Sequence, residues 1–131
     1  MSEPIVIAIP ARLQSGRIPE KLVRRLGDGN VLSEVVQRCL KTGLPVALVH
    51  DSVLLTNSLD RSLLWDCVKV DDAENGTDRL RQWMDATAPL NRPKYIINVQ
   101  ADEVFIDHRV ISKFAEYLMG CNLATISARY C

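Results

Sequence analysis

Ile5-Val6-Ile7-Ala8-Ile9 is an unbroken apolar run, rich in β-branched side chains and closed by Pro10. A run this short, with no polar alternation, predicts a strand buried on both faces, as in a parallel sheet. From Val31 to Leu40 the period changes. Val31, Leu32, Val35, Val36 and Leu40 follow helical spacing, and Gly43 then Pro45 supply stop signals. Val46 to Val49 reads as a second strand ending on His50-Asp51. The stretch from Ser52 to Trp65 is read as a helix leading into a short strand at Cys67 to Val70. Asn75-Gly76 reads as a turn, and Thr77 as the cap of a helix whose Leu80, Trp83, Met84 and Thr87 share a face. Asp78 in its first turn complements the helix dipole. Tyr95 to Val99 is a further strand, running into Gln100-Ala101-Asp102-Glu103. Asp107 then caps a helix marked by Val110, Ile111, Phe114, Tyr117 and Leu118, and Asn122 to Ser127 gives a last strand. This alternation, without repeat, low-complexity stretch or linker, predicts an α/β fold with a mostly parallel sheet, formed by one domain over residues 1–131.

Composition narrows the partners. With 131 residues and 47% of them hydrophobic, the chain is long and apolar enough to bury one real core. Sixteen basic and sixteen acidic residues cancel, so no long-range field gathers a nucleic acid backbone, and no nucleic acid partner is expected. The run at Ile5 to Ile9 is too short for a bilayer span and lacks the basic flank and cleavage site of a secretory signal; no membrane partner and a cytoplasmic location are the expectation. Cys39, Cys67, Cys121 and Cys131 are scattered, with no Cys-x-x-Cys pair or zinc-ligand spacing, and read as buried or free thiols. His50 and His108 stand alone and are assigned no catalytic role.

In open α/β sheets ligands gather beyond the carboxyl ends of the strands. Three polar clusters fall there: the segment after the first strand, His50-Asp51, and Gln100 to Glu103. The first holds Arg12, Arg17 and Lys21, with Ser15 and Gly16 allowing a tight turn. Arginine grips phosphate oxygens with paired N–H bonds and lysine adds a compact charge, so the segment suits a polyphosphate; an ordinary exposed basic loop has the same composition. It is neither a Walker A sequence nor a Gly-x-Gly-x-x-Gly turn, which removes support for ATPase and dinucleotide dehydrogenase readings. Asp102, directly after a buried strand, is placed where a carboxylate can hold a magnesium ion that also binds substrate phosphates, with Glu103 assisting or facing solvent. Acidic residues equally serve as plain loop residues there. Asp71-Asp72 is a rival pair and reads as solvated.

Three ordered motifs give the chain a resemblance to the CMP-KDO synthetase (3-deoxy-manno-octulosonate cytidylyltransferase) family. Pro10, Ala11, Arg12, Ser15, Arg17, Pro19 and Lys21 match its Pro-Ala-Arg-x-x-Ser-x-Arg-x-Pro-x-Lys segment. Gly76, Thr77, Asp78 and Arg79 match Gly-Thr-Asp-Arg, and Asn98, Gln100, Asp102 and Glu103 match Asn-x-Gln-Gly-Asp-Glu-Pro. Asp51 matches half of a Thr-Asp pair after the second strand. Gln14 and Ala101 replace glycines of the pattern, Val104 replaces a proline, and Asp28-Gly29-Asn30 replaces Gly-Lys-Pro. The resemblance implies a three-layer nucleotidyltransferase-like fold and an enzyme of lipopolysaccharide biosynthesis. In its reaction the anomeric hydroxyl of a 2-keto sugar acid attacks the α-phosphorus of CTP, giving a CMP-sugar and pyrophosphate. It further implies Arg12, Lys21 and Asp102 as catalytic residues, with Asp102 holding Mg2+. Ala11, Arg12, Ser15, Arg17, Lys21, Gly76 to Arg79 and Gln100 would bind nucleotide. It covers the amino-terminal half of a family member, so the sugar site, a second metal-binding aspartate and much of a dimer surface are expected elsewhere, in a further segment or a complementing chain. A noncatalytic nucleotide-binding or interaction protein of the same descent, and an acylneuraminate or other sugar nucleotidyltransferase, are the alternatives.

Overall fold

The computed structural model describes residues 4–13, 25–26, 29–57 and 59–119. The first apolar run forms β1 (Ile5–Ala11), and the next elements are β2 (Arg25–Leu26), β3 (Gly29–Asn30), α1 (Val31–Leu40) and β4 (Val46–His50). They are followed by β5 (Asp66–Lys69), α2 (Gly76–Ala86), β6 (Tyr95–Asn98) and α3 (His108–Met119). Four of the strands make a parallel sheet in the order β5-β4-β1-β6, while β2 and β3 pair as a small antiparallel ribbon. Ile7 of β1 lies between Val46 of β4 and Ile97 of β6, so β1 is flanked by strands on both sides.

Alternation along the strands divides two cores. Ile5, Ile7, Ile9, Ala11, Val46, Leu48, Tyr95 and Ile97 face α1 and α3, where Leu32, Val35, Cys39, Ile111, Ala115 and Leu118 meet them. Val6, Ala8, Ala47 and Val49 face the other way, against Leu80 and Trp83 of α2. The result is three layers: α1 with α3, the parallel sheet, and α2. Trp83 is fixed further by an Nε1–H bond to Asp66 Oδ2 at 3.0 Å and by an edge-to-face contact with Trp65, the ring centroids 6.2 Å apart. No helix among the described residues is long and apolar enough to cross a membrane.

α1 has the predicted bounds, and its start shows why. Asn30 Oδ1 accepts from the Ser33 N–H at 2.8 Å while Ser33 Oγ accepts from the Asn30 N–H at 2.8 Å, a reciprocal cap. Gly43 follows the helix with φ +77, the left-handed conformation that favours glycine at a helix end.

Four expectations are corrected. Ser52 to Trp65 is not an α-helix but two single 3₁₀ turns, Val53–Thr56 and Arg61–Leu63. Ser52 and Asp60 each bind the N–H two residues on and so start separate turns, at Leu54 and Ser62. Of the apolar residues in these turns, Leu55 is buried whereas Val53, Leu54 and Leu63 are exposed, so no continuous face ties a helix to the sheet. The cap of α2 is Asn75, whose Oδ1 accepts from the Asp78 N–H at 2.8 Å; Thr77 lies inside the first turn and Asn75-Gly76 is the helix start rather than a free turn. Finally, Val110 and Tyr117 of α3 are exposed, and its buried stripe is Ile111, Ala115 and Leu118. The strand expected at Asn122 to Ser127 lies outside the described residues.

Cys39 and Cys67 are free thiols, as expected; Cys121 and Cys131 lie outside the described residues. Burial pushes the Cys39 thiol up to about 12, and the half-buried Cys67 thiol is raised by the same cause. Because the thiolate is the reactive form, Cys39 should resist alkylation at pH 8 until the chain unfolds. Mass spectrometry after a brief pulse of iodoacetamide, with and without urea, checks this. Label on Cys39 in the native pulse would contradict it.

Candidate functional site

The carboxyl ends of β1, β4 and β6 lie side by side, and the polar clusters foreseen in the sequence emerge there. From β1 come buried Ala11, exposed Arg12 and half-buried Leu13. From β4 come His50, paired in register with Ala11, and Asp51. From β6 come Asn98, paired with Ala8, then Val99, whose N–H still bonds the Ala8 carbonyl at 3.0 Å, and after it Gln100 to Glu103. Gln100 is half-buried, Ala101 buried and Asp102 exposed in a tight turn closed by Glu103 N–H to Gln100 O and Val104 N–H to Asp102 O.

The start of α2 joins this edge through a glycine. A Cβ at Gly76 would lie 3.0 Å from Pro10 Cγ and 3.3 Å from Pro10 Cβ, so the helix backbone rests on the end of β1 at a distance that disfavours larger side chains. This contact seats the start of α2, with half-buried Gly76 followed by exposed Thr77, against Pro10 near the carboxyl end of β1. The next two residues of the motif are held by the protein itself. The Asp78 carboxylate accepts from Arg81 Nη2 at 2.6 Å, from the Glu74 N–H at 3.1 Å and from Gln82 Nε2 at 3.0 Å. Arg79 is 4% exposed, and its Nη1 donates to the Val70 carbonyl after β5. Of the motif residues, then, Ala11, Arg12, Gly76 to Arg79, Gln100 and Asp102 are brought to one edge. Ser15, Arg17 and Lys21 lie outside the described residues.

The hydrogen bonds from Arg81, Glu74 and Gln82 hold the Asp78 carboxyl at about 2, below its usual range. A carboxyl depressed in the folded state contributes stability above its unfolded pKa, and that contribution is lost as pH falls through the folded value. Here the window runs from about pH 4 down to about pH 2. Acid unfolding followed by circular dichroism should therefore show a shallower loss in Asp78→Asn than in the parent across that window. Equal slopes would mean that the clasp carries no linkage. Asp107 is depressed to about 2 by Arg109 and supplies a background common to both proteins.

Asp51, half of a motif match in the sequence, has a structural task. Its Oδ1 accepts the Leu13 N–H at 2.9 Å, joining positions 38 apart in the chain. Two buried side-chain atoms here have no partner among the described residues, His50 Nδ1 and Asn98 Oδ1. Burial, with Arg61's charge as a second cause, lowers the His50 pKa and so favours the neutral ring. Among the described residues no group of three or more His, Cys, Asp or Glu side chains is placed to hold a metal ion. Asp102 and the adjacent Glu103 are hard oxygen donors in a turn, a set that fits a magnesium ion shared with phosphates and water rather than one caged by protein.

The chain matches the family model described as cytidylyltransferase over residues 5–126. It is 31% identical over 118 residues to the 3-deoxy-manno-octulosonate cytidylyltransferase of Rickettsia typhi, covering 89% of this chain and 49% of that protein. Against the enzyme of the same description from Methylococcus capsulatus it is 29% identical over 138 residues, covering 98% of this chain and 51% of that protein. The chain thus spans about half the length of the curated relatives it matches. Among solved structures, CMP:2-keto-3-deoxy-manno-octonic acid synthetase complexed with CTP superposes with a TM-score of 0.77 at 26% identity, over 91% of this chain and 48% of that one. A cytidylyltransferase from Leptospira borgpetersenii shares the fold, with a TM-score of 0.69 at 19% identity over 92% of this chain and 50% of its own.

Proposed function

The chain belongs to the cytidylyltransferase family, and on that premise we propose that it binds CTP across the carboxyl edge of its parallel sheet, as the nucleotide-binding part of an enzyme that activates a 2-keto sugar acid. The observation that carries this reading is that Arg12 after β1, the start of α2 at Gly76 and the Gln100–Asp102 turn after β6 fall at one carboxyl edge, through the Gly76–Pro10 contact and the β1–β6 register. Arg12 and Lys21 neutralise the triphosphate, and Ser15 and Arg17 shape the segment between them. Ala11, Gly76, Thr77 and Gln100 line the nucleoside, with Asp78 and Arg79 supporting that turn from behind. Asp102 holds magnesium, which when bound supplies charge neutralisation to the phosphates. In the reaction the anomeric hydroxyl of the sugar acid forms a bond to the α-phosphorus, the bond to the β-phosphate oxygen breaks, and pyrophosphate leaves. The part played by these residues is positioning and electrostatic stabilisation.

Calorimetric titration with CTP and magnesium tests the binding. Arg12→Ala should weaken it by about tenfold to a hundredfold, the loss expected for a charge-assisted phosphate contact. An unchanged Kd would remove Arg12 from the site. A second reading is nucleotide binding without turnover. The two are separated by adding a keto-sugar acid and following pyrophosphate. Release supports the transferase, and a CTP-dependent rise in Tm without release supports binding alone. A cytoplasmic setting and completion by a second copy or another chain belong to the transferase proposal. Sedimentation with and without CTP tests the second of these.

A further inference from the structure

Arg12 is the exposed cation of the described site, and its backbone needs a fixed direction if its guanidinium is to meet a phosphate. On its amino side this is supplied by the sheet, because Ala11 pairs with His50 at the last rung between β1 and β4. On its carboxyl side the ladder has ended. There the Leu13 N–H donates to Asp51 Oδ1 at 2.9 Å, and the Leu13 side chain packs against the core shared with α1 and α3. Asp51 directly follows His50, so the bond extends the β1–β4 tie beyond the final rung and encloses Arg12 between two anchored residues. The same bond occupies the Leu13 N–H, leaving the arginine side chain rather than that amide to face a ligand.

We propose that Asp51 is a positioning residue for Arg12: its carboxylate holds the chain at Leu13 and so orients the cation for an anionic, phosphate-bearing ligand. The inference rests on the CTP reading above. Asp51 is a carboxylate beside an anion site, which gives the idea a sign test. If its charge acted directly on the ligand, removing that charge would tighten binding. If it acts as an acceptor for Leu13, removing the acceptor weakens binding, while asparagine, which keeps an Oδ1 acceptor, preserves it.

The experiment is calorimetric titration of the whole chain with CTP and magnesium, together with hydrogen exchange at the Leu13 amide and Tm for each variant. Asp51→Ala and Asp51→Glu, which displaces the acceptor by one methylene, are expected to raise the Kd about tenfold, the scale of one charge-assisted hydrogen bond. Asp51→Asn is expected to stay within about threefold of the parent, since one neutral acceptor replaces one charged one. Leu13 exchange should accelerate in the alanine and glutamate variants alone. A fall in Tm with an unchanged Kd in Asp51→Ala, or tighter binding, overturns the inference while leaving the CTP reading intact. If alanine prevents folding, the glutamate variant decides by the same criteria. A parent chain that does not bind CTP at all overturns the CTP reading, and this inference with it.

Discussion

Arg79→Ala is expected to lower the free energy of unfolding by about 2–3 kcal/mol, the range in which a buried hydrogen bond to a charged donor falls. Arg79 is 4% exposed, which is unusual for a residue that seldom leaves water unless paired. Its Nη1 donates to the Val70 carbonyl, a group just past β5. Truncation removes that donor, leaves the half-buried Val70 carbonyl without it and empties the space of the aliphatic stem. Arg79→Met separates these contributions, because it keeps most of the stem and lacks the donor. It should recover the packing share only. Arg79→Lys is also expected to fall short, since a compact ammonium on a shorter stem does not reproduce the planar guanidinium. Urea unfolding at constant m-value measures all three. A change below about 0.5 kcal/mol in Arg79→Ala, the range of ordinary surface substitutions, would mean that the guanidinium faces solvent.

This prediction bears on function through the motif that contains it. Gly76-Thr77-Asp78-Arg79 divides by side-chain direction: Asp78 is clasped by Glu74, Arg81 and Gln82, and Arg79 is turned to Val70, while Gly76 and Thr77 stay at the β1 end. A guanidinium cannot leave Val70 for a ligand without breaking that bond. Arg79 substitutions should therefore affect stability more than CTP affinity, and Arg12→Ala should do the reverse.

The parts of the fold legible in the sequence are those where one signal had no rival. Ile5 to Ile9 is apolar at every position and longer than a turn, and nothing but a two-faced buried strand accommodates it, so β1 begins where the run begins. α1 was legible because its apolar period and its glycine stop agree. Where two signals competed, the local one won. Both Asn75 and Thr77 are cap formers, and Asn75 takes the role because its Oδ1 reaches the Asp78 N–H. Between Ser52 and Trp65 the leucines imitate a helical face, yet the side chains of Ser52 and Asp60 bind local amides and divide the segment. At the site, the clustering of loops at one sheet edge followed from alternation of strands and helices. The Asp51–Leu13 tie and the inward turn of Arg79 did not. Both depend on which backbone amide or carbonyl happens to lie within reach in three dimensions, and no residue pattern encodes that.

Ile7→Ala is expected to cost about 2–5 kcal/mol, the range for deleting three methyl or methylene groups from a packed core. Ile7 is 0% exposed, at the middle of β1, with Val46 and Ile97 as its neighbours across the two ladders. Strands on both sides hold its backbone in register, so the surrounding atoms have little freedom to close the cavity, and the upper part of that range applies. Leu90→Ala provides the contrast: Leu90 is 90% exposed, and its loss should change stability by less than about 0.5 kcal/mol. The pair can be compared by urea unfolding, where the midpoint shifts and the m-value does not. Arg12 lies on the same strand's exit, yet Ile7→Ala removes no group from the site. Native Ile7→Ala should bind CTP with the parent's intrinsic Kd and show the same ligand-induced gain in stability at equal saturation, added to a lower starting value. A weakened Kd in the fully folded variant would instead mean that the frame of β1 yields at its carboxyl end when its centre is hollowed, and that site geometry depends on core packing as well as on the Asp51 tie.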